Sequence, residues 1–160
     1  MIQTEMGSQL AALFSCYNLS MELRSLGKFF RIWYPSVLLM IIIFIFSSAP
    51  ADDSNRQSGL IINAITFLFP NLKDVESLVT IVRKIAHFTE YAILGFFTAR
   101  AFKLSKASPW FSVLACAIYA GSDELHQSFI PGRSAEVKDV VLDTVGATFG
   151  VLIYWLTHRK

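Results

Sequence analysis

Charge is scarce in this sequence. Of its 160 residues only 16% are charged, while 54% are hydrophobic. An ordinary soluble domain carries about 25% charged residues. The deficit argues against a soluble globular protein, a disordered tail and a nucleic-acid binder. The formal net charge of +2 is too small to advertise a polyanionic partner. Cysteine is scarce too. Cys16 and Cys116 cannot build a disulfide framework, and without a Cys-x-x-Cys pair there is no zinc ribbon. The length suits one domain, with a bilayer as its solvent.

What the chain does have is long apolar runs. A membrane-crossing helix needs about 20 mostly apolar residues. Residues 29–48, 109–130 and 140–157 meet that need, and 82–104 starts polar and turns apolar from Tyr91. The expected fold is therefore all-α: a polytopic integral membrane bundle of four transmembrane helices. Residues 59–69 are apolar but too short to cross, and read as an interfacial helix, or a re-entrant piece, between the first and second spans. Asn71 or Asp74 can cap the second span. Pro109 suits the first turn of the third, and Pro131-Gly132 ends it.

Residues 1–27 are mixed and weakly periodic, and read as an N-terminal cytoplasmic segment ahead of a membrane domain over 28–160. Arg24, Lys28 and Arg31 lead into a full-length span, the mark of an uncleaved anchor. Met21 offers a second candidate start, which would leave the residues before it outside the natural product.

Basic residues gather on the cytoplasmic side of membrane proteins. With four spans both ends share one side. That side holds Arg24, Lys28, Arg31, Arg100, Lys103, Lys106, Arg159 and Lys160 against only Glu5 and Glu22. The other side holds six basic residues and the ten remaining carboxylates. Both termini are thus expected in the cytoplasm. Trp33, Tyr34, Trp110, Tyr154 and Trp155 then read as an interfacial aromatic belt.

This topology brings the polar residues to one depth. At about 1.5 Å per residue, His87 and Glu90 lie about 6 to 10 Å into the second span. Asp123–Gln127 fall about 21 to 27 Å along the third, and Asp143 about 6 Å into the fourth, all in the outer third of a core about 30 Å thick. The faces agree. Arg83, His87, Glu90 and Leu94 form one stripe, Asp123 and Gln127 share a face flanked by Glu124 and His126, and Asp139, Asp143, Gly146 and Gly150 form another. Gly146-x-x-x-Gly150 lets a neighbouring backbone approach closely. A charge in apolar surroundings costs roughly 2.5–3.5 kcal/mol on insertion scales, so such a cluster must pair, bind an ion or line water.

Three stretches of this cluster resemble the VanZ-like membrane proteins. They are Val82-Arg83-Lys84-Ile85-Ala86-His87-Phe88-Thr89-Glu90-Tyr91-Ala92-Ile93-Leu94-Gly95, Ser122-Asp123-Glu124-Leu125-His126-Gln127-Ser128-Phe129-Ile130-Pro131-Gly132-Arg133 and Val137-Lys138-Asp139-Val140-Val141-Leu142-Asp143-Thr144-Val145-Gly146. The Phe46-Ser47-Ser48 ending of the first span fits as well. The resemblance covers roughly residues 32–157, with its motifs in the family's order. Two positions depart: many relatives carry Asp where Arg83 stands and Asn where Asp143 stands. These forms are similar to the variant common in Gram-positive bacteria, and they count against any metal site that needs an acid at position 83. The resemblance implies a membrane bundle with a shared polar site in the bacterial cell envelope. The family is named for a protein that lowers sensitivity to the glycopeptide teicoplanin, so the partners implied are membrane lipids and a lipid-linked envelope precursor or lipoglycopeptide.

The chemistry of the cluster stays open among three readings. Arg83, Lys84, His87, Gln127, Arg133 and Asp143 can bind a ligand. His87, Glu90, Asp123, Glu124, His126 and Asp139 can serve as catalytic acids and bases of an intramembrane hydrolase. His87, Glu90, Asp123, Glu124 and His126 can hold a divalent metal, since bundle metal sites pair inward carboxylates with a Glu/His spacing of three. Against all three stands a salt-bridged polar knot that merely fixes helix packing. Arg133 is either an anion clamp or a partner for Glu136 or Asp139. Ser47 and Ser48 read as helix-end hydroxyls rather than nucleophiles, and Cys116 as a small core residue. The inner halves of the spans are almost wholly apolar, which argues against a channel through one copy.

Overall fold

The computed structural model describes residues 2–50, 59, 75–133 and 135–159, and among these it is all helix and no strand. The order is α1 (Ile2–Ser47), α2 (Val75–Leu104), α3 (Phe111–Gln127) and α4 (Val137–Thr157). The expected interfacial helix over 59–69 lies outside the described residues apart from Gly59, which is helical. Asn71 and Asp74 lie outside them too.

The chain divides into two compact units, Met1–Tyr34 and Pro35–Lys160. In the first, the backbone from Ile2 onward is helical, so the weakly periodic N-terminal segment is not irregular. Pro35 opens the second unit inside α1, and it has no N–H for the helix ladder.

The second unit is built around α4. At one level Ile43 of α1, Tyr91 and Leu94 of α2, Cys116 and Ala120 of α3 and Ala147 of α4 form a buried cluster. A second cluster joins Ala99 and Val151 to Tyr154. Tyr154 is thus a core residue, not part of the expected aromatic belt. Trp110 and Trp155 do meet at one end of the bundle, with ring centroids 6.4 Å apart, and Arg159 lies over Trp155.

Small residues bring α2 and α4 together. A Cβ on Gly146 would lie 2.5 Å from the Phe88 carbonyl oxygen, and Cβ atoms on Gly95 and Gly150 would collide with the backbone of Ala147 and Ala92. Glycine at these positions lets backbone rest on backbone. The outward surface is apolar: Leu114 is 62% exposed, Ile118 66% and Val145 54%.

Two helical stretches, Ser20–Ser47 and Val137–Thr157, are long and apolar enough to cross a membrane. The other two elements fall short for different reasons. At 17 residues, α3 spans about 25 Å, because the chain turns at Ser128. Helix α2 has 30 residues, starting at Val75 rather than 82, but Glu76, Arg83, Lys84 and Glu90 interrupt it as far as its middle.

Candidate functional site

Helix α3 carries the centre of the site because its buried face is polar at its end. Asp123, Glu124 and Gln127 are all buried there. Asp123 Oδ2 accepts from Ser47 Oγ of α1 at 2.8 Å and from Gln127 Nε2 at 3.0 Å. Gln127 Oε1 accepts from Arg133 Nη1 at 3.2 Å. A chain of hydrogen bonds thus runs from the end of α1, through α3, to the turn beyond it. Glu124 Oε2 accepts the Glu136 backbone N–H at 2.9 Å and so serves an otherwise orphan donor where α4 begins.

On the facing helices, Lys84 Nζ donates to Asp139 Oδ1 at 3.0 Å. Asp139 sits in the first turn of α4, where the helix dipole favours a negative charge. One turn further in, His87 Nδ1 lies 3.8 Å from Asp143 Oδ2, an ion-pair distance too long for a hydrogen bond. Asp143 is fully buried. Neither of its oxygens has a hydrogen-bond partner among the described residues, nor do His87 Nδ1, Asp123 Oδ1 and the Tyr91 hydroxyl. Burying polar groups without partners costs free energy, and here such atoms come from α2, α3 and α4.

His126 points elsewhere. Its ring stacks on Phe44 of α1 at 4.4 Å, with Nε2 3.1 Å from Ser48 Oγ. His126 therefore faces α1 while His87 faces α4. Glu90 is half-buried and has no ion pair among the described residues. Among the described residues, no three His, Cys, Asp or Glu side chains are placed to hold one metal ion.

Of the expected site residues, the structure thus joins Lys84 to Asp139, His87 to Asp143, and Asp123, Gln127 and Arg133 to one another. Two contributors were missed. Ser47 is a buried donor to Asp123, not merely a helix-end hydroxyl, and Tyr91 supplies a fully buried hydroxyl. The Phe-Ser-Ser ending of the first span was the available signal for Ser47.

The VanZ/LLP1 family model matches residues 32–158, a stretch that holds every one of these groups. The chain belongs to the VanZ/LLP1 family. No curated protein and no solved structure matches it. Family membership, together with the two long apolar helices, makes it a VanZ-like membrane protein. All three VanZ-like motifs contribute: the first supplies Lys84 and His87, the second Asp123, Gln127 and Arg133, the third Asp139 and Asp143.

Proposed function

We propose that this is a multi-pass protein of the bacterial cytoplasmic membrane with four crossing helices and both ends in the cytoplasm. In this reading residues 28–160 form its VanZ-like domain, which presents a polar site at the outer leaflet. The site binds the headgroup of a membrane lipid or lipid-linked envelope precursor, and the protein acts in the cell envelope by lowering sensitivity to lipid-tailed glycopeptides such as teicoplanin. The observation that carries this reading is the convergence of three separated motifs on buried polar groups that lack partners, on helices whose outward faces are apolar.

The test is teicoplanin susceptibility of a host expressing the protein or its His87→Ala, Asp123→Ala or Asp139→Ala variants at equal membrane levels. The expected result is protection by the parent and its loss in each variant. Full protection by all three variants refutes the site. Labelling of single cysteines placed at Ala107 and Pro131 checks the topology, with reaction from inside at the first and from outside at the second.

A second reading, an intramembrane hydrolase, draws on one distance. Ser48 Oγ stands 3.1 Å from His126 Nε2, within nucleophile–base reach. The single hydroxyl proton is donated to the Phe44 carbonyl oxygen, so it must turn to His126 for base catalysis, and no carboxylate among the described residues pairs with His126. Release of headgroups from envelope lipids, abolished by Ser48→Ala, would establish this reading in place of the first.

A further inference from the structure

The seam between α2 and α4 has an outward side as well as the inward one that carries His87 and Asp143. On it lies a groove of about 240 Å³, lined by Thr89, Ala92, Ile93, Phe96 and Phe97 of α2 and by Gly150 and Ile153 of α4. Gly150 has no side chain and Ala92 only a methyl, so the two backbones meet at the floor. Ile93 and Ile153 are exposed and stand as its rims. The Thr89 hydroxyl donates to the Ile85 carbonyl oxygen at 2.7 Å, which spends its polarity inside the helix and leaves the groove apolar.

The dimensions of the groove select what fits it. From Thr89 to Phe97 it follows α2 for about 12 Å, at about 1.5 Å per residue. Spread over that length, its volume gives a cross-section of about 20 Å², or 4–5 Å on a side. A helix with its side chains is about 10–12 Å across, so the helix of a second copy does not enter. A single hydrocarbon chain does, since its carbons settle about 3.5–4.0 Å from their neighbours. Lipid tails are as apolar as leucine, so no hydrophobic force drives one in. The gain is dispersion contact with walls that otherwise face a gap.

We propose that this groove holds one acyl chain of an outer-leaflet phospholipid, kept in place rather than exchanged with the surrounding bilayer. The inference deepens the lipid-binding reading given above and rests on its topology. In that topology the groove runs inward from the level of His87 and Glu90, the direction in which the tail of an outer-leaflet lipid points. The Lys84–Asp139 pair bridges the same two helices at the outer end of the seam, and both side chains are partly exposed. It offers one charge of each sign at headgroup level, with the lysine facing a phosphate and the aspartate able to accept from a headgroup amine or hydroxyl. The polar end of the seam and the apolar groove thus divide one lipid between them.

The test uses the full-length protein in phosphatidylcholine nanodiscs doped with phosphatidylglycerol that carries a diazirine midway along one acyl chain. After irradiation, adducts are counted on the intact protein by mass spectrometry and mapped on its peptides. The expected result is saturation near one adduct per chain, with labelling of 89–97 and 150–153 at least tenfold above that of the equally apolar, exposed Leu114 and Ile118 of α3. Ala92→Leu, which fills the floor, should lower groove labelling fivefold or more. Ile93→Trp, which blocks the groove from an exposed rim and asks nothing of the core, should do the same. Ile153→Ala, which lowers a rim, and Ile118→Trp, on another face, should leave it unchanged. Labelling spread over α3 and α4 in proportion to exposure overturns the proposal. So does groove labelling unchanged in both Ala92→Leu and Ile93→Trp, and so does an unlabelled groove in a protein that runs as a dimer, where a second copy covers it. Loss of teicoplanin protection in the His87, Asp123 and Asp139 variants alongside such a negative result removes the groove alone. Groove-confined labelling with unchanged protection in all three removes the envelope reading alone.

Discussion

Replacing Gly146 by alanine tests the contact on which the whole site is mounted. At most helix positions this change is favourable by about 1 kcal/mol, since glycine is the poorer helix former. Here the new Cβ would stand 2.5 Å from the Phe88 carbonyl oxygen and 3.2 Å from its carbon and Cα. Ordinary contact begins at 3.4 Å, a shortfall of about 0.9 Å. The obstacle is backbone, so no rotamer change relieves it, and α2 and α4 must separate. Overpacking of this kind costs about 1–3 kcal/mol. Gly121 of α3 supplies the control, since a Cβ there meets nothing within 4 Å. Both variants gain the same helix propensity, so their difference isolates the packing cost. Gly146→Ala should be about 1–3 kcal/mol less stable than Gly121→Ala in equilibrium unfolding in mixed micelles. The same separation would carry His87 and Asp143, now 3.8 Å apart, out of ion-pair range. Equal stability of the two variants would refute the backbone-to-backbone packing of α2 on α4.

Two further substitutions probe the interior. Asp123→Ala strips Ser47 and Gln127 of their shared acceptor and, by the usual cost of a buried donor left unsatisfied, should destabilise by about 1–3 kcal/mol; Asp123→Asn should cost less, and an unchanged unfolding midpoint for Asp123→Ala would contradict the network. Tyr91→Phe removes a buried hydroxyl without a partner, so stability should hold or rise, and a loss above about 1 kcal/mol would mean that the hydroxyl is satisfied by a bound group.

The sequence showed those parts of the structure that depend on periodicity. Residues 140–157 form a helix because apolar side chains cover it on nearly every side, and the observed helix starts only three residues earlier. Asp123 and Gln127 share a buried face because they stand four apart. What periodicity could not supply was the partner of each group. Lys84 and Asp139 were both in view, but their pairing depends on how α2 docks on α4. Ser47 looks like any hydroxyl at a helix end until α3 brings a carboxylate to it. His126 follows Leu125 and precedes Gln127, at the border between two faces, so spacing could not tell whether it turned toward α1 or inward. The partner of Arg133 was undecided for the same reason: of the two acids expected for it, Asp139 pairs with Lys84, and neither Asp139 nor Glu136 makes an ion pair with Arg133 among the described residues.

Gly95, Gly146 and Gly150 fasten α2 to α4 through backbone, whereas α1 meets α3 through polar side chains such as Ser47, Ser48 and Tyr119. These two joints age differently under mutation. Glycine has no smaller replacement, so the first has little room for change without displacing whole helices. The second can be rewritten one hydroxyl or amide at a time. A lineage altering this site would therefore leave the α2–α4 frame alone and change the ends of α1 and α3, where chemistry can be exchanged without moving the scaffold.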